Sequence, residues 1–270
     1  MYKKVVIVTP AYKKHISKDE LLSIESVQKY LNDYQRVIAA PKKYLDDKEF
    51  NKIWQKFGYQ IIYFDDRYFK GVDTYNKFMF SVDFYKEFID YEYILICQLD
   101  VLIFSDTLDY WLSKKFDYIG APMILEGKFG LQFYYGCNGG LSLRRVKSFL
   151  NVLESKQFYR KDETFNMIPI KIKIKYLILI KLFLKYKFLE RFNPLFRYLY
   201  RGNEDSFWSF YADFFVKDFR VANIEESLAF AFERYPAFCY EKNNFKLPFG
   251  VHAWQKYDPD FWKDKVLYYK

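Results

Sequence analysis

The stretch YILICQLDVLIFSD (residues 93–106) is a nearly continuous apolar run that holds a carboxylate, Asp100, between apolar neighbours. Such runs are typical of the buried strands of a parallel sheet, where an uncompensated carboxylate is costly. Because residues two apart in a strand point to the same face, Gln98 and Asp100 are predicted to reach one common partner. That partner is either a hard cation with a preference for oxygen ligands or a structural contact, such as the loop at 105–107 or a core lysine.

Apolar strands and amphipathic helices alternate between the N terminus and this stretch. The order β-α-β-α-β-α-β indicates a parallel sheet with helices on both faces, in which ligands bind beyond the carboxyl ends of the strands. Strands are predicted at 3–9, 36–40 and 59–64, and helices from the capping box Ser17–Glu20 to about 32, at about 46–57 and at about 73–88.

The composition narrows the class of protein. The chain has 270 residues, 51% of them hydrophobic, which excludes global disorder. Its three cysteines are scattered, which fits neither a disulfide framework nor a metal-site spacing and favours a reducing cytosol. The first apolar run is too short for a signal peptide, and no stretch of about 20 uncharged apolar residues predicts a membrane-spanning helix.

The positive charge is concentrated in one segment. Residues 169–201 carry six lysines and three arginines against one acid, Glu190, while the whole chain has a net charge of +9. Because the remainder is nearly neutral, a nucleic-acid partner is not expected. The segment KIKIKYLILIKLFLKYKFLERFNPLFRYLY (171–200) is both basic and apolar. It predicts either an amphipathic helix on an anionic membrane surface or a helical hairpin packed on the domain.

Three further patterns are open to a structural or a functional interpretation. The glycines of GCNGG (136–140) favour either a tight turn or a close backbone approach to a ligand. The acids of NED (203–205) begin a predicted helix, where they either complement the helix dipole or face a site. His252 is one of only two histidines, and it is either a structural side chain or a ligand for an ion such as Mn²⁺.

Five motifs occur in an order that resembles a known group. They are YEYILICQLDVLIF (91–104), FDYIGAP (116–122), GCNGGLSLR (136–144), NEDSFW (203–208) and PFGVHAW (248–254). The set resembles an incompletely characterised bacterial and fungal family within the GT-A glycosyltransferase superfamily, with QxD, GxNGGxSLR, NEDxFW and PFGxHAW motifs. The resemblance implies an α/β, GT-A (Rossmann-like) single domain over residues 1–270. It also implies a mixed, mainly parallel central sheet, and we place the basic helical insertion at about 166–202.

The resemblance also assigns roles to residues. It implies that Asp100 and His252 hold Mn²⁺ or Mg²⁺, although Gln98 stands where the family motif DXD has its first Asp. It implies that Asp205, or its neighbour Glu204, is the base that takes the proton of the acceptor hydroxyl. The predicted donor-binding residues are Thr9, Pro10, Ala11, Asp66, Lys77, Gln98, Asn138, Gly139 and Lys256.

The function that follows is a glycosyltransferase that uses a nucleotide-diphosphate sugar. We expect a glycan or lipid-linked acceptor, a role in surface polysaccharide or lipopolysaccharide synthesis, and a cytoplasmic protein held peripherally at the inner face of the membrane through 169–201. Two alternatives remain at this point. One is a nucleotidyltransferase on a related fold, and the other is an inactive carbohydrate-binding or scaffold protein, which the presence of Gln98 leaves open.

Overall fold

Two sheets organise the computed structural model, which describes residues 3–128, 130–155, 200 and 202–267. The strands are β1 (Lys3–Pro10), β2 (Gln35–Pro41), β3 (Gln60–Phe64), β4 (Tyr91–Cys97), β5 (Val101–Ile103), β6 (Tyr118–Gly127), β7 (Gly130–Arg145), β8 (Ala231–Phe232) and β9 (Gly250–His252). The α-helices are Lys18–Leu31, Lys48–Lys56, Val72–Met79, Val82–Lys86, Leu108–Ser113, Val146–Glu154, Glu204–Phe210, Ile224–Phe230, Pro236–Lys242 and Pro259–Leu267. Short 3-10 helices cover Lys42–Tyr44, Asp66–Phe69 and Ala212–Phe214.

The larger sheet has six strands in the order β3-β2-β1-β4-β7-β6. The four strands from β3 to β4 are parallel, whereas β7 runs antiparallel to both β4 and β6. The α/β class with a mixed, mainly parallel central sheet is therefore confirmed. Apolar side chains from alternate positions of β1 and β4 enter two separate cores, one on each face of the sheet.

The apolar run that carries Asp100 is not one strand. β4 ends at Cys97, and the next three residues form a turn in which the Val101 amide donates to the Gln98 carbonyl at 3.1 Å. β5 then leaves the large sheet and pairs with β9 and, through it, with β8 in a small sheet. Asp100 therefore lies at the end of a parallel strand, and the pairing of Val101 with His252 brings β9 beside it.

The helices follow the sequence patterns with one exception. The capping box is confirmed, because Ser17 and Glu20 each accept a hydrogen bond from the other's backbone amide. The single helix predicted at 73–88 is wrong, since Ser81 begins a second helix by accepting from the Phe84 amide. This break turns the chain, and Phe78, Met79 and Phe84 all enter the core.

The basic insertion predicted at about 166–202, with its membrane segment at 169–201, lies outside the described residues apart from Tyr200 and Gly202. Within the described ranges, none of the helices has the length and apolar character needed to cross a bilayer.

Candidate active site at the strand ends

A cavity of about 630 Å³ opens at the carboxyl ends of β1 and β4. This volume is in the usual range for small-molecule sites. Eight of the predicted site residues line it: Pro10, Gln98, Asp100, Asn138, Gly139, Glu204, Asp205 and His252. They come from strands and a helix far apart in the chain, so the fold brings the QxD, NGG, NED and HAW motifs to one place.

Five predicted donor-binding residues do not line this cavity. Thr9 and Ala11 are buried. Asp66 accepts a hydrogen bond from the Lys43 amide at 2.9 Å, and Lys77 is exposed on the helix Val72–Met79. Lys256 lines a separate cavity of about 590 Å³.

Asp100, Gln98 and His252 face one another at the cavity wall. The Nε2 atom of His252 lies 3.4 Å from Asp100 Oδ1 and 3.2 Å from Gln98 Oε1. Asp100 Oδ1 is buried and has no hydrogen-bond donor in the described part of the chain. A carboxylate oxygen in such a place is a free ligand atom.

This arrangement suits a divalent cation that also binds a diphosphate. Two ligand atoms at right angles around an ion with bonds of about 2.1 Å lie about 3 Å apart, close to the separations at His252 Nε2. The described residues contain no group of three or more His, Cys, Asp or Glu side chains placed to hold a metal. Mg²⁺ is commonly held by one or two carboxylates together with substrate phosphates, so this smaller donor set is compatible with it.

The other side of His252 contacts Glu233, which the sequence analysis missed. Glu233 Oε1 lies 3.3 Å from His252 Nδ1 and accepts a hydrogen bond from Asn138 Nδ2 at 3.2 Å. Asn138 Nδ2 also lies 3.5 Å from Asp205 Oδ2, while its Oδ1 accepts from the Gly140 amide at 2.9 Å. A sequence signal existed: Glu233 ends the apolar run LAFAF (228–232), much as Asp100 follows β4.

Glu204 is held by a buried arginine. Arg144 Nη1 and Nη2 donate to its two carboxylate oxygens at 3.0 and 2.7 Å, and the two side chains are 0% and 4% exposed. Arg144 also donates to Tyr85 Oη, to Ser142 Oγ and to the Gly139 carbonyl. A bidentate pair of this kind gives a buried carboxylate a partner of opposite charge and fixes its orientation.

Asp205 has a different environment from its neighbour. Burial and the adjacent Glu204 carboxylate raise the pKa of Asp205 to about 7. Its Oδ1 accepts a hydrogen bond from the Ser206 amide at 2.6 Å. A carboxyl whose pKa lies near neutrality is matched to general acid–base work.

Burial and charge act in opposite directions on His252. Burial alone lowers the pKa of the imidazole, but the Glu233 and Asp100 carboxylates outweigh it, and the pKa is raised above its ordinary value. His252 therefore lies in a strongly negative part of the cavity, where a cation is favoured.

Positions 139 and 140 have no room for a side chain, because Glu204 lies against Gly139 and His252 lies against Gly140. A Cβ on Gly139 would lie 2.3 Å from Glu204 Oε1, and one on Gly140 would lie 2.2 Å from His252 Nε2. Successive residues of a strand face opposite sides, so the two glycines admit a different partner on each face of β7.

Comparisons with known proteins give one family and several distant structures. The model of a family described as "Protein of unknown function (DUF5672)" matches residues 58–252. A search of curated proteins finds no match. The solved structures that resemble the chain include galactosyltransferase LgtC in complex with donor and acceptor sugar analogs, with 14% identity and a TM-score of 0.47, covering 97% of this chain and 94% of that one.

Two other structures are similar at a comparable level. Mouse xyloside xylosyltransferase 1 has 10% identity and a TM-score of 0.46, covering 93% of this chain and 97% of that one. A glycosyltransferase involved in the glycosylation of the major capsid of PBCV-1 has 10% identity and a TM-score of 0.41, covering 98% and 100% of the two chains.

Proposed function

The chain belongs to the DUF5672 family, and we propose that it is a GT-A-type glycosyltransferase that moves a sugar from a nucleotide-diphosphate donor to a hydroxyl acceptor. One observation carries this proposal. The Asp100 oxygen, which has no hydrogen-bond donor among the described residues, faces His252 in the same cavity as Asp205, whose pKa is near neutrality. A cation-binding pair beside a base suits transfer from a diphosphate to a hydroxyl, because the cation stabilises the leaving group and the base takes the proton.

In this proposal Asp100 and His252 hold the donor end of the reaction. Both would ligate Mn²⁺ or Mg²⁺, with the Gln98 amide oxygen as a third ligand. The bound ion supplies positive charge that stabilises the leaving diphosphate. Pro10, Asn138 and Gly139 also line the cavity. Asn138 is held by its own hydrogen bonds, so we assign this residue to shaping the cavity.

We assign the base to Asp205 and not to Glu204. Both oxygens of Glu204 already accept hydrogen bonds from Arg144, so this carboxylate is engaged in a buried ion pair. No lysine or arginine of the described residues forms an ion pair with Asp205, and its deprotonated form can accept the proton of an acceptor hydroxyl. The Glu204 charge assists indirectly, because it raises the pKa of Asp205 and makes its carboxylate a stronger base.

The acceptor is proposed to be a glycan or a lipid-linked glycan of surface polysaccharide or lipopolysaccharide synthesis. The basic and apolar sequence of 169–201 supports the lipid-linked form, with the protein in the cytoplasm at the inner face of the membrane. We expect the full chain to cosediment with vesicles that contain anionic lipid and a chain without 169–201 to remain in the supernatant. Equal sedimentation of both would contradict the membrane role.

The direct test is a panel of nucleotide sugars incubated with the full chain and Mn²⁺. Release of a nucleoside diphosphate supports glycosyl transfer, whereas release of pyrophosphate identifies a nucleotidyltransferase. Asp100→Asn should lose release at least 100-fold while remaining folded, and Asp106→Asn, an exposed aspartate after β5, is the matched control. Turnover by Asp100→Asn close to that of the wild type would contradict the assigned site.

A further inference from the structure

Glu233 contacts both halves of the candidate active site through one oxygen atom. It follows β8, its side chain is 15% exposed, and its Oε1 faces His252 Nδ1 and Asn138 Nδ2. His252 lies at the cation site, and Asn138 leads to Asp205. Glu233 is therefore placed to orient residues of both.

The chemistry of the imidazole makes this contact directional. Acceptor oxygens face both ring nitrogens, with Glu233 Oε1 3.3 Å from Nδ1 and Gln98 Oε1 3.2 Å from Nε2. When a cation takes the Nε2 lone pair, Nδ1 is the nitrogen left to carry the proton, and Glu233 Oε1 is the acceptor that faces it. A neutral ring with its proton on Nδ1 presents the lone pair of Nε2, the atom that faces Asp100 and Gln98. Metal-ligating histidines are commonly oriented in this way by a carboxylate behind the ring.

The Asn138 amide is fixed in one orientation. Its Oδ1 accepts from the Gly140 amide, so its NH₂ group must face Glu233 and Asp205. Neither carboxylate can rotate away from this NH₂ group without losing a hydrogen-bond donor. The position of Asp205 is thereby coupled to that of Glu233.

We propose that Glu233 is a positioning residue that fixes the tautomer and orientation of His252 for cation binding and, through Asn138, holds Asp205 at the same wall of the cavity. The proposal rests on the proposed function for the identity of the site. Glu233 lies outside all five sequence motifs.

The first test reads the histidine tautomer in the unaltered protein. Because the chain has two histidines, His15 and His252, protein labelled with ¹⁵N-histidine gives only two sets of imidazole signals. With Mg²⁺ present, we expect His252 to carry its proton on Nδ1, and we expect Glu233→Ala to lose this preference. A wild-type ring with its proton on Nε2 would overturn the proposal, whether or not any variant folds.

The second test measures Mn²⁺ binding by the electron paramagnetic resonance signal of the free ion, with the metal alone and with a nucleoside diphosphate. Glu233→Gln should weaken binding roughly 10-fold and Glu233→Ala by up to about 100-fold, the range found for residues behind a metal ligand. Glu241→Gln is the control, because this glutamate lies on the neighbouring helix with a side chain 59% exposed. Affinity within twofold of the wild type in both Glu233 variants would overturn the proposal.

These two measurements test the role of Glu233 separately from the proposed function. Tautomer and Mn²⁺ affinity are measured without turnover, so a protein that binds Mn²⁺ through His252 but uses no nucleotide sugar would contradict the proposed function alone. Normal turnover with unchanged Mn²⁺ affinity in the Glu233 variants would contradict the role of Glu233 alone. A wild-type chain that binds neither Mn²⁺ nor Mg²⁺ would overturn the cation site and the role of Glu233 together.

Discussion

Carboxylates lie against both faces of β7, in different environments. The first group is Glu204 with its partner Arg144, called the neutralised group, and the second is Asp100 and Glu233 on either side of His252. Behind Gly139, Glu204 is enclosed and both its oxygens are neutralised by Arg144. In front of Gly140, Asp100 and Glu233 flank one imidazole and have no arginine or lysine within ion-pair distance among the described residues. The Glu204 carboxylate thus has an arginine partner within the fold, whereas Asp100 and Glu233 have none among the described residues, a difference that agrees with the proposed cation site.

The largest effect is expected from breaking the neutralised group. Arg144→Met leaves Glu204 buried without its cation, which should lower the free energy of unfolding by about 3–5 kcal/mol in urea denaturation. The matched control is Arg145→Met, because Arg145 is 33% exposed and pairs with Glu92 at the surface. Its loss should be about 1 kcal/mol or less. Equal losses in the two variants would contradict the contrast between buried and exposed pairs.

The two glycines allow each group to be disturbed separately. Gly139→Ala places a methyl group against Glu204 and Arg144, and we expect a loss of about 1–3 kcal/mol in the free energy of unfolding. Gly140→Ala directs the same methyl group at His252 Nε2, so Mn²⁺ binding and transfer should fall at least tenfold.

The two glycine variants are compared by how much stability and how much Mn²⁺ affinity each one loses. The ratio of lost stability to lost Mn²⁺ affinity should be high for Gly139→Ala and low for Gly140→Ala. Thermal unfolding and Mn²⁺ titration of both variants would give the two ratios. Similar ratios would mean that the two faces of β7 do not separate structure from function.

The sequence predicted the second group better than the first. Asp100 stands out in the sequence because a carboxylate inside an apolar run is a local signal, whereas His252 is singled out by the resemblance of its motif to the family. Their proximity does not show in the sequence, since it depends on the pairing of β5 with β9. The partnership of Arg144 and Glu204 joins two motifs 60 positions apart, and no local pattern shows which of two adjacent acids turns inward.

Two changes of chain direction, at the end of β4 and at Ser81, are hidden in the sequence for the same physical reason. The sequence of 93–106 does not show where β4 ends and β5 begins, because apolar character continues through the turn at Gln98 and Leu99. A continuous helix is predicted at 73–88 because Ser81 does not interrupt the apolar periodicity. In the structure the Ser81 hydroxyl accepts from the Phe84 amide and starts a new helix. Burial patterns report which residues are inside, whereas chain direction depends on single hydrogen bonds.

Asp205 connects the two groups, and its pH dependence can be predicted. Transfer should rise with pH through about 7, because the base must be deprotonated and its pKa is about 7. Stability should move the other way. The folded-state pKa exceeds the ordinary value of 3.8, so the stability contributed by the protonated form is complete below about pH 4 and is lost as pH rises to about 7.

Asp205→Asn tests both directions at once. The variant should lose transfer by about 100-fold or more and should lack the wild-type decline in stability, about 1 kcal/mol per pH unit between pH 5 and 7. The measurements are initial rates and urea denaturation at each pH. A wild-type rate that is flat from pH 6 to 8, or parallel stability curves for the two proteins, would contradict the assignment of Asp205 as the base.

The smallest effects on transfer are expected from substitutions in the helix Val72–Met79, which contributes Tyr75 to the cavity lining. Tyr75 lines the cavity, and its buried hydroxyl lies beside Gln98, so it is placed to donate a hydrogen bond to a bound nucleotide sugar. Tyr75→Phe should raise the KM for the nucleotide sugar several-fold with little change in kcat. Lys77→Ala, two residues along, removes an exposed charge outside the cavity and should leave KM within twofold and stability within about 0.5 kcal/mol. A larger effect of Lys77→Ala than of Tyr75→Phe would place the donor outside the cavity and restore the sequence-based assignment of Lys77.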